Sequence, residues 1–182
     1  MRESLGKIDM KNIKEFSSDS GFYFKDMFIT PVPTFHDAAS PNGYTIADEK
    51  EKISLITDTG WVSQEIIDAI KDSDLYFLES NYDIEMLKNG PYSWPLKQRV
   101  LSTQGHLSNE NCAEVAREIL KGNGEALILS HLSIENNTID LAYKNMQDTI
   151  EKMNLKIDRE VVDLDIAPRH QPSRLYDLKE RK

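Results

Sequence analysis

Three short apolar runs constrain this chain most. Lys52–Thr57 reads KISLIT, Leu75–Leu78 reads LYFL and Ala126–Leu129 reads ALIL. Runs of this length and apolarity read as strands covered by other structure rather than open to water. Between them stand stretches with apolar residues at helical spacing. Ser63 can cap a helix over Gln64–Lys71, with Ile66, Ile67 and Ile70 on one face. Ser108 can cap Asn109–Lys121, where Cys112, Val115, Ala116, Ile119 and Leu120 fall on one stripe and Gly122-Asn123-Gly124 stops the helix. Thr138 opens a last amphipathic helix through Met153, with Leu141, Met146 and Ile150 inward, and Glu160–Leu164 reads as a closing edge strand. Strand and helix in alternation imply an α/β fold with a largely covered sheet.

Residues 11–47 look different. Phe22–Phe24 and Met27–Ile29 are β-prone and separated by Lys25-Asp26, a turn-like pair. Pro31 and Pro33 end that stretch, His36–Gly43 reads as a loop by its Pro, Asn and Gly, and a strand resumes at Tyr44–Ala47. After Gly90-Pro91 and Trp94-Pro95, Leu96–Leu101 reads as a short helix.

At 182 residues, with no repeat, low-complexity tract or linker, the chain reads as one unit over residues 1–165 followed by a basic tail over 166–182. No apolar run approaches the ~20 residues of a membrane span. The opening MRESLGKIDMKNIKEF carries charges throughout and no apolar signal core. The single cysteine, Cys112, excludes an internal disulfide framework and a cysteine-based zinc knuckle, and its place on a helix stripe makes it a core residue. These features predict a cytoplasmic protein with no membrane partner. The net charge of −9 argues against broad electrostatic binding of nucleic acid. It leaves room for a nuclease, because a metal ion supplies local positive charge to a phosphate.

Sheets of this kind place ligands at the carboxyl ends of their strands. KISLIT runs into Asp58, LYFL into Glu79 and ALILS into His131. His106 lies in the turn GHLSN before a helix, and His36 in the loop after the Phe28–Pro33 strand. Singly these have plain structural readings. A histidine at a strand end is ordinarily a satisfied surface or core residue, and Asp58-Thr59-Gly60 is also a good turn. Glu79 is harder to set aside, because a carboxylate at the end of a buried strand must be paired, hydrogen-bonded or protonated. Two carboxylates and three histidines converging on strand mouths favour a functional site.

Imidazole nitrogens and carboxylate oxygens suit Zn²⁺, Mn²⁺ or Fe²⁺. An aspartate can bridge two ions and two such ions can serve phosphodiester hydrolysis. Glu79 can orient or charge-stabilise His106, which then acts as general acid toward the leaving oxygen.

The segments VPTFHDAASPNGY, LITDTG, LESNYDIEMLKNGPYSWPLKQRVLSTQGHLSNENCAEVA and LILSHLS together resemble the metallo-β-lactamase fold. Within it they resemble the YycJ/WalJ group of bacterial hydrolases, whose motif order is similar to that of ribonuclease Z. The likeness extends over about residues 8–165. It implies a four-layer αββα sandwich and a site holding two divalent ions, zinc or manganese. It implies that His36 and His131 each bind one ion, that Asp58 bridges both, and that Glu79 and His106 form the carboxylate–histidine pair beside the scissile phosphate. It also implies nucleic acid, DNA attacked from the 5′ end, as substrate.

One departure accompanies the resemblance. The fold's His-x-His-x-Asp-His signature does not occur in these 182 residues, and the first sixteen resemble the segment that follows it. The expectation is therefore an N-terminally incomplete domain, with two protein ligands per ion where a catalytic zinc normally has three. An apolar sheet face and an open edge would be left for a second copy or for the missing portion supplied in trans. Three functions are open at this point. The chain is a metallo-phosphodiesterase, weakly active or inactive alone. Or it is a non-catalytic interaction module, or half of a split enzyme. Or it is a lactonase or thioesterase on the same fold.

Overall fold

A computed structural model describes residues 8–178. Seven strands form one sheet in simple sequence order: β1 (Phe22–Phe24), β2 (Met27–Pro33), β3 (Asn42–Ala47), β4 (Lys52–Ile56), β5 (Leu75–Glu79), β6 (Glu125–Ser130) and β7 (Val162–Ile166). The first four pair antiparallel and β4 through β7 pair parallel. The change of pairing follows the connections. Short loops suffice before β4, whereas a parallel return needs a crossover, here made by helices. Beyond Ile29, where β1 no longer reaches, β2 is paired on one side only, and that is where Pro31 and Pro33 sit.

Three helices pack on one face of the sheet: α1 (Gln64–Ile70), α4 (Asn109–Ile119) and α5 (Ile139–Lys152). The expected caps form, with Ser63, Ser108 and Thr138 accepting from the backbone N–H groups of Ile66, Asn111 and Leu141. Beneath the helices, Ile56, Tyr76, Leu78, Leu127 and Leu129 make the main core, with Cys112 wholly buried in it. Burial pushes the Cys112 thiol pKa far up, as befits a packing residue. Strand β6 is buried at all six positions, as a central parallel strand requires.

The structure adds to the expected elements and adjusts some of them. A six-residue helix, α2 (Ile84–Asn89), stands where none was expected; Asp83 caps it and Leu87 is its one buried residue. The short helix α3 runs over Trp94–Leu101, with Pro95 in its first turn. Helices α2 and α3 close over Tyr82, Leu87 and Val100 as a satellite cluster at the strand mouths. The closing strand is shifted to Val162–Ile166.

Of the four layers that the resemblance implied, the described residues supply one sheet and one helical layer. The opposite sheet face carries Leu75, Phe77, Ala126 and Ile128. Part of the expected basic tail folds against this face. Ala167, Tyr176 and Leu178 pack on it, Arg174 pairs with Asp163 and with Asp165 (2.8 Å), and the Tyr176 hydroxyl donates to Asp165 (2.6 Å). Toward β4 the same face is open, and Leu55 remains 37% exposed. The tail's last cations, Lys179, Arg181 and Lys182, and the opening seven residues lie outside the described residues. No helix among the described residues is long and apolar enough to cross a membrane.

Candidate metal centre

The five residues singled out in the sequence meet at the carboxyl ends of the parallel strands. Asp58 follows β4, Glu79 ends β5, His131 follows β6, His106 precedes α4, and His36 follows β2. Asp58 and His131 both turn the chain through left-handed backbone, with φ of 55° and 57°. That conformation is uncommon for a residue with a side chain, and such positions cluster at functional sites.

Glu79 organises the centre. It is fully buried, and its Oε1 accepts from Nδ1 of His106 (2.7 Å) and from Nδ1 of His131 (2.8 Å). Its Oε2 accepts from the backbone N–H of Thr59 (2.9 Å). Burial pushes the Glu79 pKa up, but the hydrogen bonds from the two histidines and from Thr59 outweigh it and hold the carboxyl below its ordinary value. An ionised carboxylate can only accept, so both rings carry a hydrogen on Nδ1 and, when neutral, a lone pair on Nε2. His36 arrives at the same tautomer another way, its Nδ1 donating to the Gly105 carbonyl (3.0 Å). Its Nε2 lies 3.7 Å from Asp58 Oδ1. The His131 pKa is raised, first by its hydrogen bond to Glu79 and against its partial burial.

These donors fit a divalent cation. Asp58, Glu79, His106 and His131 bring one potential ligand atom each within 4.8 Å of one another. Both oxygens of Glu79 are already engaged, so it serves the site as the acceptor that fixes ring orientation. Asp58 is half exposed, and its Oδ1 lies 3.7 Å from His36 Nε2 and 3.6 Å from His131 Nδ1.

The surrounding loops hold this arrangement by backbone contacts that the sequence alone did not disclose. Thr59 Oγ1 accepts from the Phe35 N–H (3.1 Å) and donates to the Trp61 carbonyl (2.6 Å), and Gly60 N–H donates to the Phe35 carbonyl (2.9 Å). Gly60 is packed so tightly that a Cβ there would lie 2.3 Å from the Ser102 carbonyl oxygen and 2.6 Å from Gly105 N. The aspartate turn is thereby pressed against both the His36 loop and the His106 loop. Behind them, Asn137 donates to the Ser80 carbonyl (2.9 Å) and Asn109 Oδ1 (2.9 Å), and Asn81 donates to the His131 carbonyl (2.7 Å). Asp37 pairs with Arg99 of α3, which holds its carboxyl down to about 2. A cleft of about 370 Å³ opens over the histidines, bordered by Asn81, Tyr92, Arg99 and Arg169.

Known proteins are similar to this chain in sequence or in shape. The exodeoxyribonuclease WalJ of Streptococcus pneumoniae is 35% identical over 164 residues, 90% of this chain and 61% of that protein. The exodeoxyribonuclease YycJ of Bacillus anthracis is 34% identical over 152 residues, 84% of this chain and 58% of that protein. The chain thus spans about three fifths of the length of these curated relatives. The metallo-β-lactamase fold protein YhfI of Bacillus subtilis superposes with a TM-score of 0.60 at 20% identity, over 84% of this chain and 51% of that one. The beta-lactamase superfamily domain matches residues 2–132, which contain every residue of the centre, and the chain belongs to that superfamily.

Proposed function

We propose that this centre serves metal-dependent hydrolysis of phosphodiester bonds, on DNA and from the 5′ end. The observation that carries the proposal is the double acceptance at Glu79 Oε1, which commits Nδ1 of His106 and of His131 and leaves Nε2 as each ring's remaining nitrogen, in a cluster that includes Asp58. The relatives named exodeoxyribonucleases support DNA as the substrate. His36 and His131 would each hold one of two divalent ions, zinc or manganese, with Asp58 between them. A cation held there would supply Lewis-acid polarisation of the phosphodiester and a lowered water pKa. Glu79 keeps the Nδ1 proton of His106 in place and stabilises the ring's charged form. His106 delivers its Nε2 proton to the leaving oxygen.

Elemental analysis of the chain after dialysis gives the first test. Close to two ions per chain, lost on Asp58→Ala, supports the reading. A second test isolates His106. If it protonates the leaving oxygen, His106→Ala slows DNA cleavage by ~100-fold or more. It should then slow a p-nitrophenyl phosphodiester far less, since that leaving group needs no proton. Equal losses on both substrates would remove the general-acid role. Metal-dependent turnover of a lactone or thioester with none of a phosphodiester would overturn the substrate class.

One observation favours a second reading, in which the chain works with a complementing polypeptide or as an interaction module. Leu55 is 37% exposed and Phe16 46% exposed, so the open sheet face offers an apolar surface. Supplying the N-terminal third of a relative in trans separates these possibilities. Gained nuclease activity supports complementation, and binding without activity supports the module.

A further inference from the structure

Beside the metal-centre cleft lies a second cavity, also of about 370 Å³, between the start of α5 and the chain leaving β7. Its volume is in the ~300–1,000 Å³ range of small-molecule pockets. The two cavities share His131, Leu132, Ser133, Ile134 and Arg169, so an occupant of the second reaches the edge of the first. The walls are largely aliphatic. Ile134 and Ile139 are 68% and 63% exposed, an apolar surface left to water, and Ile166 lines the cavity from the sheet. No carboxylate lines this cavity, although the chain as a whole carries a net charge of −9. Its one cation is Arg169, whose guanidinium donates to the Leu132 carbonyl and pairs with no carboxylate among the described residues. That single bond fixes the fork at the boundary between the two cavities and leaves most of its donors to spare.

An apolar slot with one guanidinium at the mouth beside the metal centre suits an occupant that is flat and apolar at one end and anionic at the other. We propose that this cavity is the subsite for the terminal nucleotide of the substrate strand. The base lies against Ile134, Ile139 and Ile166, and Arg169 holds the phosphate next to the scissile one. The inference rests on the phosphodiesterase reading and adds to it a place for the strand end.

The test is an NMR titration of the metal-free full chain with thymidine 5′-monophosphate, alongside thymidine and inorganic phosphate. The nucleotide should shift the amides of Leu132, Ile134 and Ile139 and bind more tightly than either part. Arg169→Gln should weaken the nucleotide about tenfold, one charge-assisted contact, and leave thymidine unchanged. Ile139→Asp should weaken the nucleotide at least as much. An acidic residue at the first helical position is favourable, so that variant should melt with the wild type. Inorganic phosphate binding as tightly as the nucleotide, or Ile139→Asp leaving the nucleotide's affinity intact, would overturn the subsite. Because no metal is present, nucleotide binding without any metal-dependent hydrolysis would sink the hydrolase reading alone. Hydrolysis without nucleotide binding would sink the subsite alone.

Discussion

Replacing Glu79 by Gln is the sharpest perturbation of the centre, because the two side chains share a shape and differ in what they can accept. Glu79 receives three hydrogens, from His106 Nδ1, His131 Nδ1 and Thr59 N. A glutamine cannot receive all three. If its carbonyl faces the histidines, its NH₂ meets the buried Thr59 N–H. If it is flipped, its NH₂ meets both imidazoles, which must move their hydrogens to Nε2 and lose the lone pairs there. The first arrangement leaves a buried donor unsatisfied, at about 1–3 kcal/mol, partly offset because a buried charge is removed. The second removes ligand capacity outright. Loss of an outer partner of a ligating histidine weakens metal binding by ~10–100-fold. Of the two rings Glu79 holds, His131 is the one assigned to an ion, so a loss within that range is expected. Urea unfolding and competitive zinc titration of wild type and Glu79→Gln measure both quantities. Zinc affinity within about twofold of wild type, or a variant more stable than wild type, would refute the orienting role. A loss well beyond ~100-fold would indicate that Glu79 binds the ion itself.

Other consequences follow from the packing. Gly60→Ala should cost about 1–3 kcal/mol, because the atoms its Cβ would meet are backbone atoms of the 102–105 loop, and thermal melting should show a drop of ~2–4 °C per kcal/mol. An unchanged melting temperature would mean that the loop yields freely. Asn137→Ala leaves the Ser80 carbonyl and the Asn109 amide without their partner and should cost about 3 kcal/mol in urea unfolding. A cost below ~0.5 kcal/mol would mean that this network does not hold the site together. Acid should loosen the segment after β7. Burial raises the Asp165 pKa, but the Tyr176 hydroxyl and Arg174 outweigh it and hold it below 3.8. Its contribution is therefore present above the unfolded value and fades as pH falls through the lower folded one. Tyr176→Phe should shrink that acid-dependent part, read as amide exchange of residues 174–178 against pH.

Much of the site was legible because its residues sit where strands end. KISLIT, LYFL and ALIL each run into a polar residue that cannot be buried without a partner, and three such ends on one parallel sheet must be neighbours. Ser63, Ser108 and Thr138 announced their helices because a cap is a local interaction. What stayed hidden depends on partners distant in sequence. Nothing about Asn109 or Asn137 shows that they bond each other across 28 positions. Glu79 was paired in advance with His106, but its equal bond to His131, 52 residues on, needed the fold. Helix α2 escaped notice because one buried residue makes no periodic pattern. The segment after β7 reads as a basic tail, and Arg174 in it aims at Asp163 and Asp165 on the outer face of the alternating VDLDI strand. Its cations were answering anions already visible in the sequence.

The most direct measurement of the central claim is the protonation of the histidine ring nitrogens, by long-range ¹⁵N–¹H NMR of the metal-free chain at slightly alkaline pH, repeated with zinc. His36, His106 and His131 should all carry hydrogen on Nδ1. Zinc should then shift Nε2 of His36 and His131 strongly, His106 little and His170 not at all. Hydrogen on Nε2 of these rings, or zinc signals confined to His170, would contradict the account.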